Sequence, residues 1–152
     1  MLFCVIFLTC NVTVVALVEN IKNLVGRLRP DFLDRCKPII KICKGNKKII
    51  LDGRKSFPSG HSATCGCGFI FLILFINSQF VKSINNFNLN IPLIKVLLNV
   101  CFLIIPIYVG TTRYLDHRHF ITDIIAGNIL GGLVSLIFFK KFGKRCLENV
   151  NC

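Results

Sequence analysis

The chain has 152 residues, 53% of them hydrophobic, with a mean hydropathy of +0.66 and a formal net charge of +12. Such a composition excludes an ordinary soluble globular domain and fits a protein that crosses a membrane several times. The charge alone would suit a nucleic acid, but the basic residues crowd a loop beside apolar segments and no nucleic-acid module is recognisable. The expected partner is therefore an anionic membrane surface, with no nucleic acid.

Four apolar stretches follow in chain order, at 2–18, 63–81, 91–110 and 120–139. Each approaches the roughly 20 residues that a helix needs to cross the hydrocarbon core. The first carries Thr9, Asn11 and Thr13, and a cleaved leader is its alternative reading. It lacks a basic start, runs long for such a segment, and is followed by no small-residue cleavage site before Lys22. If it spans, the sequon Asn11-Val12-Thr13 is buried in lipid. The third contains Lys95, which reads as a side chain snorkelling to the interface. Between the spans lie a polar loop at 19–61, short connections at 82–90 and 111–119, and a basic tail at 140–152. No repeat or linker divides residues 1–152, so the expectation is one all-α domain, a multi-span transmembrane helical bundle.

Three strings carry the chemistry. Lys22 to Pro30 (K-N-L-V-G-R-L-R-P) follows the first span. Taken as helix, it puts Lys22 and Arg29 on one side, about two turns apart, and Arg27 elsewhere, before Pro30 breaks the helix. By itself it reads as a common juxtamembrane basic cluster. Pro58-Ser59-Gly60-His61 runs into the second span, where backbone N–H groups of Ser59 and Gly60 with the helix dipole behind them suit an anion. The plain alternative is an ordinary helix start capped by Ser59 or Ser62. In the third string, Arg113 to Asp123, His119 and Asp123 are four apart and share a helix face, so the carboxylate can hold one ring nitrogen while the other attacks. Arg113, in the preceding connection, is placed to hold the phosphate under attack. A surface salt bridge or a metal site of His117, His119 and Asp123 is the alternative, the metal being disfavoured by the surrounding cations. Alternate crossings bring all three strings to one membrane face.

The patterns K-x6-R-P, P-S-G-H and [S/T]-R-x5-H-x3-D, in that order, resemble the three signatures of the type 2 phosphatidic acid phosphatase superfamily. Within it, G-R-L-R-P-D-F-L-D-R-C and G-R-K-S-F-P-S-G-H look like the animal lipid phosphate phosphatase branch, with its Wunen-type relatives. The resemblance runs from about Ile21 to Phe139. It implies His119 as a nucleophile that forms a phosphohistidine, oriented by Asp123, and His61 as the acid that protonates the leaving alcohol. Lys22, Arg29, Ser59, Gly60 and Arg113 would hold the phosphate, with no metal and no cofactor. Substrates would be lipid phosphates such as phosphatidate, lysophosphatidate or sphingosine 1-phosphate, and a homo-oligomer is left open. The rival from another class is a membrane protein that binds lipid phosphates without catalysis; a third reading is a phosphatase of soluble phosphates or isoprenoid diphosphates. Thr112 stands where the signature usually has Ser, which keeps a hydroxyl. The family has six spans and this chain offers four, beginning at what would be the third.

Orientation is contested in the sequence itself. Loops on the motif face carry 13 Lys or Arg against five on the other, which taken literally puts that face in the cytoplasm. The resemblance implies the opposite, an extracellular or luminal site in the plasma membrane or an endomembrane. Cys36 and Cys43, both in the 19–61 loop, would form a small disulfide if that face is oxidising.

Overall fold

A computed structural model describes residues 2–40, 42–83 and 91–148. Its elements are α1 (Leu2–Val25), α2 (Phe32–Cys36), β1 (Pro38–Ile39), β2 (Ile42–Cys43), α3 (Lys47–Asp52), α4 (Gly60–Ser83), α5 (Ile91–Leu115), α6 (Ile121–Phe138), a π-helical turn (Phe139–Gly143) and α7 (Lys144–Glu148). Four segments are long and apolar enough to cross a membrane: Leu2–Val25, Gly60–Gln79, Leu93–Leu115 and Ile121–Cys146. Most of the expected connection at 82–90, namely 84–90, lies outside the described residues, as do tail positions 149–152.

The polar residues of the first span need no water. Thr9 and Thr13 donate to the carbonyls of Val5 and Thr9, and the Asn11 amide donates to that of Phe7, each one turn back in the same helix. Such local bonds satisfy polar side chains where lipid cannot. The helix also continues past 18, because nothing in 19–25 breaks it until Gly26. That residue takes φ +60 and returns its N–H to the Lys22 carbonyl at 3.1 Å, closing the helix with a left-handed cap. Arg29 therefore lies beyond the helix, which corrects the expectation of two helical turns between it and Lys22. In the same way α5 runs to Leu115, so Arg113 belongs to its last turn rather than to a connection.

α4 and α6 pack backbone against backbone through small residues. A Cβ added to Gly131 would collide with the Ala63 carbonyl, and one added to Gly127 would crowd the Ser59 carbonyl. Gly127 and Gly131 are one turn apart on α6 and admit α4 closely, as small residues do between membrane helices. α1 joins them through Cys10, Val14 and Val18, buried against Ala63, Cys67 and Phe71 of α4. The Cys10 and Cys67 sulfurs are 3.3 Å apart there. Large apolar side chains left outside this core, such as Leu8, Val12, Leu97, Ile107 and Ile129, suit a surface solvated by acyl chains.

Above the bundle the 26–59 segment folds back on itself. Arg29 donates its N–H to Gly53 and Ser56 donates to Arg27, both at 2.9 Å, which lays the end of the first string beside the approach to the second. The Cys36–Cys43 disulfide closes the β1–β2 hairpin. Arg35 pairs with Asp31 and Asp52, and Asn46 caps α3 by accepting from the Lys48 N–H at 2.9 Å.

Candidate active site

The ends of the four long helices meet on one face. Between them lies a cavity of about 80 Å³ lined by Lys22, Arg29, Gly60, His61, Arg113, Arg118 and His119. Each of the three strings thus contributes, from the end of α1, the start of α4, the end of α5 and the residue ahead of α6. Four cations and two histidines line it, and among the described residues no carboxylate does.

Three of the four cations are held from outside the cavity. Glu19 takes Lys22 at 2.8 Å, Asp52 takes Arg29 at 3.1 Å and Asp116 takes Arg113 at 3.0 Å. The Arg29 side chain is 9% exposed, and its Nε is buried without an acceptor among the described residues. Burial pushes the Arg29 guanidinium below its usual pKa, because removing water penalises the charged form. A buried donor with no acceptor is costly, and an acceptor brought to it, such as an oxyanion, would relieve it.

His119 is 3% exposed and sits two residues before α6. Its Nδ1 lies 2.7 Å from the Ser56 carbonyl. A carbonyl only accepts, so Nδ1 carries the proton and Nε2 holds the lone pair. Burial, reinforced by the nearby Arg29 charge, lowers the His119 pKa to about 4. The ring is therefore neutral at pH 7, with one nitrogen available as a nucleophile.

Asp123 does not take the role expected for it directly. Its Oδ2 is 3.8 Å from His119 Nδ1, too far for a hydrogen bond. Instead Oδ2 accepts from the Ser56 hydroxyl at 2.6 Å and the Phe120 N–H at 3.0 Å, while Oδ1 accepts from Arg27 at 2.6 Å. The fully buried carboxylate thus fixes Ser56, and the Ser56 carbonyl fixes the ring. Arg27, which a continuous helix would have sent elsewhere, reaches Asp123 because the chain turns at Gly26. It also donates to Thr122 and stacks on Phe120, 4.3 Å from the ring centroid.

Ser59, expected among the phosphate ligands, does not line the cavity. Its N–H is taken by the Asp123 carbonyl at 2.9 Å, and its hydroxyl accepts from Ser62 as an N-cap. Ser59 therefore ties α4 to α6, while Gly60 and His61 present the first turn of α4 to the cavity. A Cβ on Gly60 would stand 3.2 Å from Lys22 Nζ, so glycine there leaves the lysine its place. His117 is exposed, and no group of three or more His, Cys, Asp or Glu side chains converges among the described residues.

Three residues of this arrangement escape a reading of the sequence. Arg118 falls in an unspecified position of the third string, Ser56 lies in the loop, and a helical first string sends Arg27 to the wrong face. Arg118 and Ser56 have a weak signal, as a cation next to His119 and a hydroxyl two residues before Pro58.

The PAP2 superfamily model matches residues 3–146. "Probable lipid phosphate phosphatase 4" of Arabidopsis thaliana is 35% identical over 144 residues, covering 88% of this chain and 45% of the relative. "Diacylglycerol pyrophosphate phosphatase 1" of Saccharomyces cerevisiae is 31% identical, with 80% and 45% covered. "Phospholipid phosphatase 2" of Homo sapiens is 28% identical, with 80% and 44% covered. The chain spans a little under half the length of these relatives. No solved structure matches significantly.

Proposed function

Because the chain belongs to the PAP2 superfamily, we propose that it is an integral membrane phosphatase that hydrolyses lipid phosphate monoesters through a phosphohistidine. The observation that carries this reading is the cavity of about 80 Å³ with four cations, two histidines and no acid in its lining. Phosphatidate, lysophosphatidate and sphingosine 1-phosphate are the class of substrate that fits a site at the mouth of a bilayer-spanning bundle. The relatives' names, which refer to lipid phosphate, diacylglycerol pyrophosphate and phospholipid phosphatases, support a phosphorylated lipid as substrate.

In this mechanism Lys22, Arg29, Arg113 and Arg118, with the first turn of α4 at Gly60, hold the phosphate oxygens and offset the charge that spreads over them in the transition state. Nε2 of His119 attacks phosphorus as the bond to the leaving oxygen breaks, and His61 gives that oxygen a proton. His61 then takes a proton from a water that attacks the phosphohistidine, releasing inorganic phosphate and restoring both rings. No step requires a metal or a cofactor. In this reading the site faces the extracellular or luminal side of the plasma membrane or an endomembrane. The Cys36–Cys43 disulfide on that face supports this, since such bonds persist where the compartment is oxidising. It outweighs a charge bias of which several cations line the cavity.

The test is phosphate release from phosphatidate by membranes carrying the chain, in excess EDTA, beside His119→Ala. Release is expected to persist in EDTA and to vanish in the variant. Absence of release from inserted, folded chain would favour the binding-only reading.

A further inference from the structure

A second cavity, of about 230 Å³, lies between α1 and α4 and is lined by Val15, Val18, Glu19, Lys22, Gly60, His61 and Thr64. It shares Lys22, Gly60 and His61 with the phosphate cavity, so the two adjoin on the His61 side. From Lys22 it descends α1 to Val15, seven residues and roughly 10 Å along the axis. Its character changes on the way. The upper end is charged, by Lys22 and Glu19, whereas the lower end is formed by Val18, Thr64 and Val15. Val18 is 2% exposed and closes the groove against the core, while Val15 is 47% exposed and opens it toward the bilayer. The Thr64 hydroxyl is bonded to the carbonyls of Gly60 and His61, which leaves the methyl as that side chain's unbonded group.

We propose that this groove binds the alcohol portion of the substrate, meaning the carbons next to the ester oxygen and the start of one hydrocarbon chain. The inference rests on the phosphatase reading. If His61 protonates the leaving oxygen, that oxygen lies where the two cavities meet, and the carbon attached to it enters the space that His61 and Gly60 share with Val18, Thr64 and Val15. The polar rim accommodates the ester region, and the apolar floor accommodates methylenes that would otherwise remain in the bilayer. A substrate bound in this way arrives sideways from the membrane with its phosphate pointing up into the cation cluster. The groove therefore selects for a chain-bearing alcohol over a small soluble one, by contacts remote from the reacting phosphorus.

The comparison uses two substrates, dioleoyl phosphatidate and p-nitrophenyl phosphate, and membranes carrying the full 152-residue chain. Val15→Trp, which fills the lower groove, is expected to reduce the kcat/KM ratio of the first to the second by about tenfold or more. Leu17→Trp places the same indole about 200° away around α1, outside the groove lining, and is expected to leave the ratio at the wild-type value. A Val15→Trp ratio equal to that of wild type, in inserted protein, would overturn the groove assignment. If the wild type hydrolyses neither substrate, the phosphatase reading fails by itself and the groove is tested with a diazirine-bearing alkyl phosphate. Photo-adducts on 15–19 and 60–64 would then sustain the assignment, and adducts confined elsewhere would end it.

Discussion

Asp123 is fully buried and carries a formal charge, so its neighbours matter more than its distance from the nucleophile. Arg27 is its cationic partner, with the Ser56 hydroxyl and the Phe120 N–H completing the set. Arg27→Ala leaves that charge unpaired and should destabilise the fold by about 3 kcal/mol. Arg27→Ala combined with Asp123→Asn should recover part of the loss, as read by thermal unfolding in detergent. His119 makes a pH prediction. Its folded pKa of about 4 lies below the unfolded value of roughly 6.5, so between those values the folded state binds fewer protons than the unfolded one. Stability from this group rises with pH through that window and is lost as pH falls from the upper value through the lower. The same shift keeps His119, the proposed nucleophile, neutral in mild acid. The acid limb of kcat/KM assigned to His119 should therefore fall near pH 4, whereas a limb near the ordinary histidine value of roughly 6.5 would indicate a solvated ring.

At the scale of elements, the bundle is set by how closely α6 approaches α4. Gly131→Ala puts a methyl into the Ala63 backbone and should cost about 1–3 kcal/mol by overpacking. It should also weaken phosphate release, although Gly131 is roughly 18 Å along the helix from His119, because the Ser59–Asp123 bond depends on the same interface. Gly132→Ala, whose added methyl would meet only the Ile70 side chain at 3.8 Å, is the near-neutral comparison in the same unfolding assay. The four spans are legible in the sequence because apolar length is a local property. Their continuation through 19–25 and 111–115 is not, since a hydropathy pattern stops at the first polar residues while backbone hydrogen bonding stops only where a residue such as Gly26 turns the chain. The site divides in the same way. His61, His119, Asp123 and the cations Lys22, Arg29 and Arg113 can be named from residue type and order. The parts played by Ser56, Ser59 and Arg27 arise from the fold-back of 26–59, and that pairing leaves no periodic trace in the sequence.

For the molecule as a whole, the proposed extracellular or luminal orientation of the cavity makes a prediction of its own. Lys48→Thr puts a hydroxyl two residues after Asn46 and so completes an N-x-T sequon in the loop above the bundle, while Asn46 keeps the side-chain oxygen that caps α3. A luminal site face predicts a glycosidase-sensitive mass increase for this variant in a eukaryotic secretory membrane. The natural sequon at Asn11, inside α1, should remain unmodified; an unglycosylated Lys48→Thr chain would place the cavity in the cytoplasm. The convergence of four helix ends has one more consequence, for biogenesis. Of the residues lining the cavity, Lys22 and Arg29 precede α4 in the chain, while Arg113, Arg118 and His119 follow it. A nascent chain that has inserted only α1 and α4 holds Lys22, Arg29 and His61 but lacks Arg113, Arg118 and His119. The lining is therefore complete only once residues 113–119 have been made and α6 has docked on α4.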